Sequence, residues 1–449
     1  MALPAQEMRM SMYFCRVLSK KQMLVFLCCF LLTAGPSKMI SISYAQSAGE
    51  NPTTLKLFLT EALENNRNLK EAKELLAAAK HRIPQASALP DPTAGTDYMG
   101  EMLETRLGPQ ENTYEFEQMI PFPGKLLEKR QMAKAEFNAA QANVKKTERD
   151  VIFNVSETYF DLYATDKTIA TVEETLALLK NFEAIAQNRY ASQSGSQRDV
   201  AKAQTEVSDT LQKLFVLRQQ RNTLQAMLNS LLNRNPGSEI KDLTNISISP
   251  LSLNIDELTQ MTKENQPDLK EAQAMLKRQE HANTLAKYEY APDFSVGFKY
   301  YDIGNGMTTD PEDGRDAWMI PIKVTLPLWQ NRIIPAVQEA KRNLNAAQAR
   351  FEQTKNTIEY EIRDAFYRFT ASQQTVELYE NAFLPEAELA FRSDQAGYEA
   401  GKVDILNLID SERVYLNSKI AYYQSKADAL KSFAALERAV GIDLVETKP

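Results

Sequence analysis

Two histidines, His81 and His281, are the only imidazoles in the 449 residues, so acid–base or metal chemistry would have to start from them. They stand 200 positions apart, and neither has a second His or a Cys at the spacing a tetrahedral metal site needs. The three cysteines, Cys15, Cys28 and Cys29, crowd the N-terminus and offer no disulfide framework to the rest of the chain. Met99, Met102 and Met119 could present thioethers to a soft metal, but sulfur among strand-like apolar residues suits packing better. No Gly-rich phosphate loop, nucleophile elbow or His-bearing triad is visible. The 59 Asp and Glu against 52 Lys and Arg fall mostly on helical patterns, where they read as solvated faces and i,i+4 pairs. We therefore read no enzyme, no cofactor and no metal site. One carboxylate stands apart: Asp404 follows a Gly401-Lys402 turn and opens a helix, where capping and the helix dipole favour a negative charge.

The segment that precedes these residues has the make-up of an export signal. Lys20-Lys21 lead into an apolar core from Met23 to Leu32, and Ser43-Tyr44-Ala45 offers a small-residue cleavage site, giving a signal peptide over residues 1–45. The core is too short to span a bilayer as a helix. Neither Cys28 nor Cys29 follows the Leu-x-(Ala/Gly)-Cys pattern of a lipoprotein. Arg9, Arg16, Lys20, Lys21 and Lys38 leave with the leader against Glu7, so a formal charge of −7 deepens to −11 in the mature chain. That balance argues against a nucleic-acid partner.

The clearest structural signal lies between Ala291 and Trp329. Phe294, Val296, Phe298 and Tyr300 alternate with Ser295, Gly297 and Lys299, and after a Gly/Asp/Thr-rich loop over 302–315 the apolar residues Trp318, Ile320, Ile322, Val324 and Leu326 alternate with polar ones such as Lys323 and Thr325. This predicts a β-hairpin over 293–327. Its apolar face, with Phe294, Val296, Phe298, Trp318, Ile320 and Ile322, suits lipid, and its polar face suits water, as in a transmembrane β-barrel wall. A soluble sandwich hairpin is the competing reading. A weaker pair of strands, 93–99 and 113–120 around a loop over 100–112, predicts a second hairpin across 93–120.

An internal repeat accounts for that pairing. Glu64-Asn65 and Leu69-Lys70-Glu71-Ala72 recur as Glu264-Asn265 and Leu269-Lys270-Glu271-Ala272, an offset of 200 that also relates the two histidines. Farther on the offset is 207, and the stripe Val144, Val151, Val155, Tyr159, Leu162, Ile169, Val172, Leu176 maps onto Phe351, Ile358, Ile362, Phe366, Phe369, Val376, Tyr379, Phe383. Heptad-like steps predict coiled-coil helices. Each repeat, 46–232 and 256–449 with a polar linker over 233–255, reads helix, hairpin, very long helix, tip, helix. The long helices, Leu126 to Tyr190 and Ile334 to Tyr398, would each reach about 100 Å at 1.5 Å per residue. The fold class is mainly α with a small β part. Two hairpins supply four strands, which cannot close a barrel, and an open edge is not tolerated in lipid. Two copies would give eight strands around a filled interior and three would give twelve around water; three is preferred.

The two helix-hairpin tips carry a family resemblance. Tyr190 to Val207, with Asp199-Val200 and Ala203-Gln204, and Tyr398-Glu399-Ala400-Gly401-Lys402-Val403-Asp404-Ile405-Leu406, extended by Asp410 to Arg413, resemble the outer-membrane efflux protein (TolC-like) family over essentially the whole mature chain. The Tyr-x-x-Gly tip is kept at Tyr398 and Gly401; in the first repeat Gln193 stands at the Gly position and Gly195 follows two residues later. The Ser194 to Asp199 tip looks most like members paired with heavy-metal pumps of the RND type. The resemblance implies a homotrimer in the outer membrane of a Gram-negative bacterium, with a twelve-strand β-barrel continued by a twelve-helix α-barrel that forms a long periplasmic extension. It further implies a periplasmic adaptor protein at the tips Gly195, Ser196, Gln197, Gly401, Lys402 and Val403, and an inner-membrane pump beyond. It places Asp404, Asn407 and Asp199 around a pore gate, where carboxylates ringing an axis would favour cations. The expected function is the exit duct of a tripartite efflux system for small toxic solutes or metal ions. The alternatives are the exit duct of a type I protein secretion system and a periplasmic coiled-coil scaffold without a pore.

Overall fold

A computed structural model describes residues 54–240, 243, 254–306, 309 and 311–444. The leader over 1–45, much of the linker and the side chain of Met102 lie outside the described residues. The elements in order are α1 (Thr54–Asn65), α2 (Arg67–Ser87), β1 (Thr93–Thr105), β2 (Gly108–Ile120), α3 (Pro123–Ala191) and α4 (Gln197–Leu231). The second repeat follows as α5 (Ile255–Asn265), α6 (Pro267–Lys287), β3 (Asp293–Ile303), β4 (Ala317–Met319), β5 (Ile322–Thr325), α7 (Gln330–Leu378), α8 (Leu384–Glu399) and α9 (Ile405–Val440). No described helix is long and apolar enough to cross a membrane.

The repeat is written into the packing. One core joins Phe58, Val151, Val155, Tyr159, Leu228 and Leu232, and its counterpart joins Leu258, Ile358, Ile362, Leu436 and Val440. The sequence pattern suggests one helix over 55–89, but the chain breaks at Asn66, whose side chain accepts hydrogen bonds from the Asn68 and Leu69 amides at 3.0 and 3.2 Å. Such a cap contributes about 1 kcal/mol. Asn66 also donates to the Leu231 carbonyl at 2.9 Å, tying the start of α2 to the end of α4. Gln266 repeats this device between α5 and α6, accepting from the Asp268 amide at 3.3 Å and donating to Ala439 at 3.0 Å. Residues of the 233–255 segment that are described are pinned rather than loose: Ile240 is buried in the first core and Arg234 pairs with Glu61.

α3 runs unbroken for 69 residues, about 100 Å at the α-helical rise. Its partner in the second repeat is interrupted: between α7 and α8 the residues Tyr379–Phe383 form a π-helical turn, with the Leu384 amide bonded five residues back to Tyr379. Pro385 supplies the reason, since its ring would collide with the carbonyl four residues earlier in an α-helix. The inserted turn rotates the stripe, so Val376 is buried while Phe383 is exposed.

Side by side, the elements form layers four wide. The sheet order is β1-β2-β3, with β4 and β5 both pairing with β3 on its far side. Next to the sheet, α3 lies between α2 and α6, and α6 contacts α7; farther away, α3 lies between α4 and α9, and α9 contacts α7 and α8. Strands and helices are joined at a buried Lys125, whose ammonium lies 2.9 Å from Asp293, while Asp293 also accepts the Phe122 amide at 2.8 Å.

Candidate functional site: a two-faced sheet and paired helix tips

The sheet realises the alternation in the sequence. Phe116 pairs with Phe298 and Tyr114 with Tyr300, while Trp318 pairs with Tyr300, Ile322 with Val296 and Val324 with Phe294, so one face is apolar. Phe294, Val296, Phe298, Trp318, Ile320 and Ile322 are all exposed in the single chain. The strand expected over 318–326 is split at Ile320-Pro321, because Pro321 has no amide to donate; its carbonyl still accepts the Gly297 amide at 2.9 Å, so β4 and β5 keep one register. The other face carries a cross-strand ladder of ions. Lys299 lies 2.8 Å from Glu115, and Lys323 lies 3.7 Å from Glu115 and also pairs with Glu117.

The first hairpin differs from expectation. Residues 100–112 are not a loop: β1 and β2 extend to a tight turn at Arg106-Leu107. A register shift between Tyr98 and Leu103 breaks the alternation there, which is why the strand is hidden in the sequence. Met99 and Met119 lie on these strands, and among the described residues no group of three His, Cys, Asp or Glu is placed to hold a metal ion. His81 is exposed on α2, whereas His281 is half-buried with Nδ1 2.7 Å from Glu128.

At the opposite end of the long helices the two tips fold alike. In the first, the Gln193 amide bonds to Tyr190 and the Ser194 amide to Arg189; in the second, Gly401 bonds to Tyr398 and Lys402 to Gly397. Gly401 has φ +73°, and Gln193, without a glycine's freedom, is held at φ +61°. The first turn therefore forms at Gln193 and not at Gly195. A left-handed residue that carries a Cβ costs about 1–2 kcal/mol. Arg189 crosses from the first tip to the second: its Nη2 donates to the Tyr398 carbonyl at 2.6 Å and to Glu399 at 3.3 Å, and its guanidinium lies 4.4 Å from the centre of the Tyr398 ring.

The acidic tip residues have distinct places. Asp199 belongs to a capping box, accepting the Ser196 amide at 3.1 Å while Ser196 Oγ accepts the Asp199 amide at 3.2 Å. Asp404 occupies the N-cap of α9 yet makes no capping hydrogen bond; its carboxylate is 4.0 Å from Arg198. Asn407 is exposed beside it. Ile405, Leu408 and Ile409 are buried, and Leu406 is exposed. Gly195 is half-buried, while Ser196, Gln197, Gly401 and Lys402 are exposed. Val403 instead turns toward the tip core beside Tyr398 and Ile405.

Above the tips lies a polar layer that sequence reasoning missed. Thr175 on α3, Glu206 and Thr210 on α4, and Glu412 on α9 are all buried, and they separate the tip core from the next apolar cluster of Val172, Leu214 and Leu416. Burial opposes ionisation of Glu206, but Lys202 at 2.8 Å and Arg413 outweigh it and hold the carboxyl below its usual range. Glu412 has no ion pair of its own, and the Arg413 and Lys213 charges offset its burial only in part. Burial pushes it up to about 7, against the hydrogen bond from Thr175, with the Glu206 charge adding to the rise. The signal was present in the sequence: Ile405, Ile409, Glu412 and Leu416 follow steps of 4, 3 and 4, placing an acid at a core position of the heptad pattern.

Known proteins share this architecture. A 408-residue alignment to the cobalt-zinc-cadmium resistance protein CzcC of Cupriavidus metallidurans is 22% identical and covers 90% of this chain and 93% of that one. The cation efflux system protein CusC of Escherichia coli is 22% identical over 385 residues, covering 80% of this chain and 79% of CusC. Among solved structures, the outer membrane channel CmeC of Campylobacter jejuni superposes with a TM-score of 0.75 at 17% identity, covering 86% and 85% of the two chains, a likeness of fold. Residues 58–234 and 258–442, one span per repeat, match the family described as outer membrane efflux protein, and the chain belongs to that family.

Proposed function

We propose that three copies of this chain close into an outer-membrane duct that passes metal cations or other small toxic solutes outward. The observation that carries the reading is the two-faced sheet, open at both edges, that runs directly into helices about 100 Å long. Among the described residues, each layer of the fold leaves two flanks without a neighbouring element: β1, α2 and α4 on one side, and β4–β5, α7 and α8 on the other. Unpaired strand edges cannot face lipid, so closure must come from further copies. Three copies supply twelve strands, wide enough for a water-filled lumen. Exposed Phe215, Val216 and Met227 on α4 and exposed Leu378 and Leu389 on α7 and α8 are then covered by the neighbouring copy.

In this assembly Phe294, Val296, Phe298, Trp318, Ile320 and Ile322 face lipid, and the Glu115, Glu117, Lys299 and Lys323 ladder faces the lumen. Asp404 and Asn407 ring the far end as a gate, with Asp199 holding the neighbouring helix start. Gly195, Ser196, Gln197, Gly401 and Lys402 meet a periplasmic adaptor that connects to an inner-membrane pump of the RND type, and Val403 supports that turn from inside. The names of CzcC and CusC, which concern metal resistance and cation efflux, favour cations as cargo, as would a ring of Asp404 carboxylates about the axis. Particles extracted from outer membranes with detergent should produce stepwise, cation-preferring conductance in planar bilayers. A soluble elongated particle that forms no channel would overturn the proposal.

A further inference from the structure

We propose that Glu412 is a proton-binding site that closes the duct in acid by holding the second helical hairpin against the first. The proposal rests on the duct reading and deepens it. Glu412 lies on α9, in the second repeat, while the groups it meets belong to α3 and α4 in the first. The polar layer is thus a seam between the two hairpins, eight residues or about 12 Å along α9 from Asp404.

The charges around the seam leave Glu412 without a counter-ion of its own. From α4, Glu206 faces it as a like charge, already engaged by Lys202 and by Arg413, and Lys213 is paired with Asp209 at 2.9 Å. From α3, Thr175 offers a hydroxyl, and the adjacent Glu174 is taken by Lys419 at 2.8 Å. On α9 itself, Arg413 points to Glu206, and Asp410 is exposed. A buried carboxyl in this setting packs well only while neutral. With the hairpins together it titrates at about 7, and exposed to water it returns toward the ordinary 4.5. The closed arrangement is therefore fully supported below about pH 4.5 and loses that support as the pH rises to about 7, beyond which the effect is flat.

The test uses the purified full-length assembly, with spin labels on Ser192→Cys and Lys402→Cys to read the separation of the tips, and planar bilayers to read open probability. Between pH 5 and pH 7 the tips should part and the open-to-closed ratio should rise by up to about tenfold per pH unit for each carboxyl. Glu412→Gln should stay closed across the range. Thr175→Val removes a hydrogen bond that favours the charged form, so the midpoint at which the Glu412 carboxyl ionises, followed by its infrared band, should move to higher pH. A carboxylic-acid infrared band present near pH 6 should be missing from Glu412→Gln. A Glu412→Gln variant that follows the wild-type pH curve would overturn the proposal, as would an unmoved midpoint in Thr175→Val. The same holds for a response that survives in Glu412→Gln and vanishes in Asp404→Asn. Should no conductance occur at any pH while the label distances still shift with pH, the duct reading fails and the proton site stands.

Discussion

Replacing Arg189 with Ala removes the link between the two tips. The guanidinium makes two hydrogen bonds to carbonyls at the end of α8, the shorter at 2.6 Å, and lies over the Tyr398 ring. A hydrogen bond to a charged group is worth about 1.5–3 kcal/mol and a cation–π contact at an exposed site about 0.5–1. Because Arg189 is half-buried, water replaces part of this, and a net loss of about 2 kcal/mol is expected. That is roughly a thirtyfold shift toward tip opening, while the cores around Tyr159 and Ile362 are untouched. Hydrogen exchange should show it directly: the Ala400, Gly401, Lys402 and Val403 amides should exchange about thirtyfold faster, with those of 151–165 unchanged. Arg189→Lys should recover only part of the protection, since an ammonium can donate to the carbonyls but cannot stack a planar group on the Tyr398 ring. Equal exchange in wild type and Arg189→Ala would refute the latch, and a global rise in exchange would mean that Arg189 supports the fold instead.

Three further outcomes are expected. Val296→Arg or Ile322→Arg should destabilise the membrane-inserted form by about 2–4 kcal/mol if the residue lies near the bilayer midplane, measured by denaturant titration in lipid; equal effects from Lys299→Ala or Lys323→Ala would mean that the faces are misassigned. Gln193→Gly should stabilise the first tip by about 1 kcal/mol by relieving its left-handed backbone, whereas Gly401→Ala should destabilise the second by a similar amount; an unchanged melting temperature in both would discount backbone strain. Asp404→Ala should enlarge single-channel conductance and weaken cation selectivity with the assembly intact, and adding Asp199→Ala should strengthen the effect while costing about 1 kcal/mol of helix capping. Wild-type conductance and selectivity in Asp404→Ala would place the gate elsewhere.

Periodicity made the larger part of the fold legible. The offsets relating Val151 to Ile358 and Val155 to Ile362 reappear as equivalent cores, because heptad burial is a local rule that each repeat obeys independently. What escaped notice were departures from that rule. Asn66 breaks a helix whose apolar spacing continues through it, since capping depends on one side chain and not on a period. The slip between Tyr98 and Leu103 hid half of the first hairpin, and Pro385 turned α-helix into π without disturbing the count of apolar residues. At the tips the spacing located Gly401 and Asp404, but Arg189 could not be read as a latch, because its partners are carbonyls 209 and 210 positions away. Glu412 was readable as an acid on a core stripe; its meaning required knowing that Arg413 turns to Glu206 instead.

The central claim is that one chain supplies a third of a closed wall, and native mass spectrometry of the detergent-extracted particle tests it most directly. A mass three times that of the mature chain is expected. A stable membrane-inserted monomer with its full strand content would contradict the account, because the edges at β1 and β4–β5 would then be tolerated in lipid without a partner.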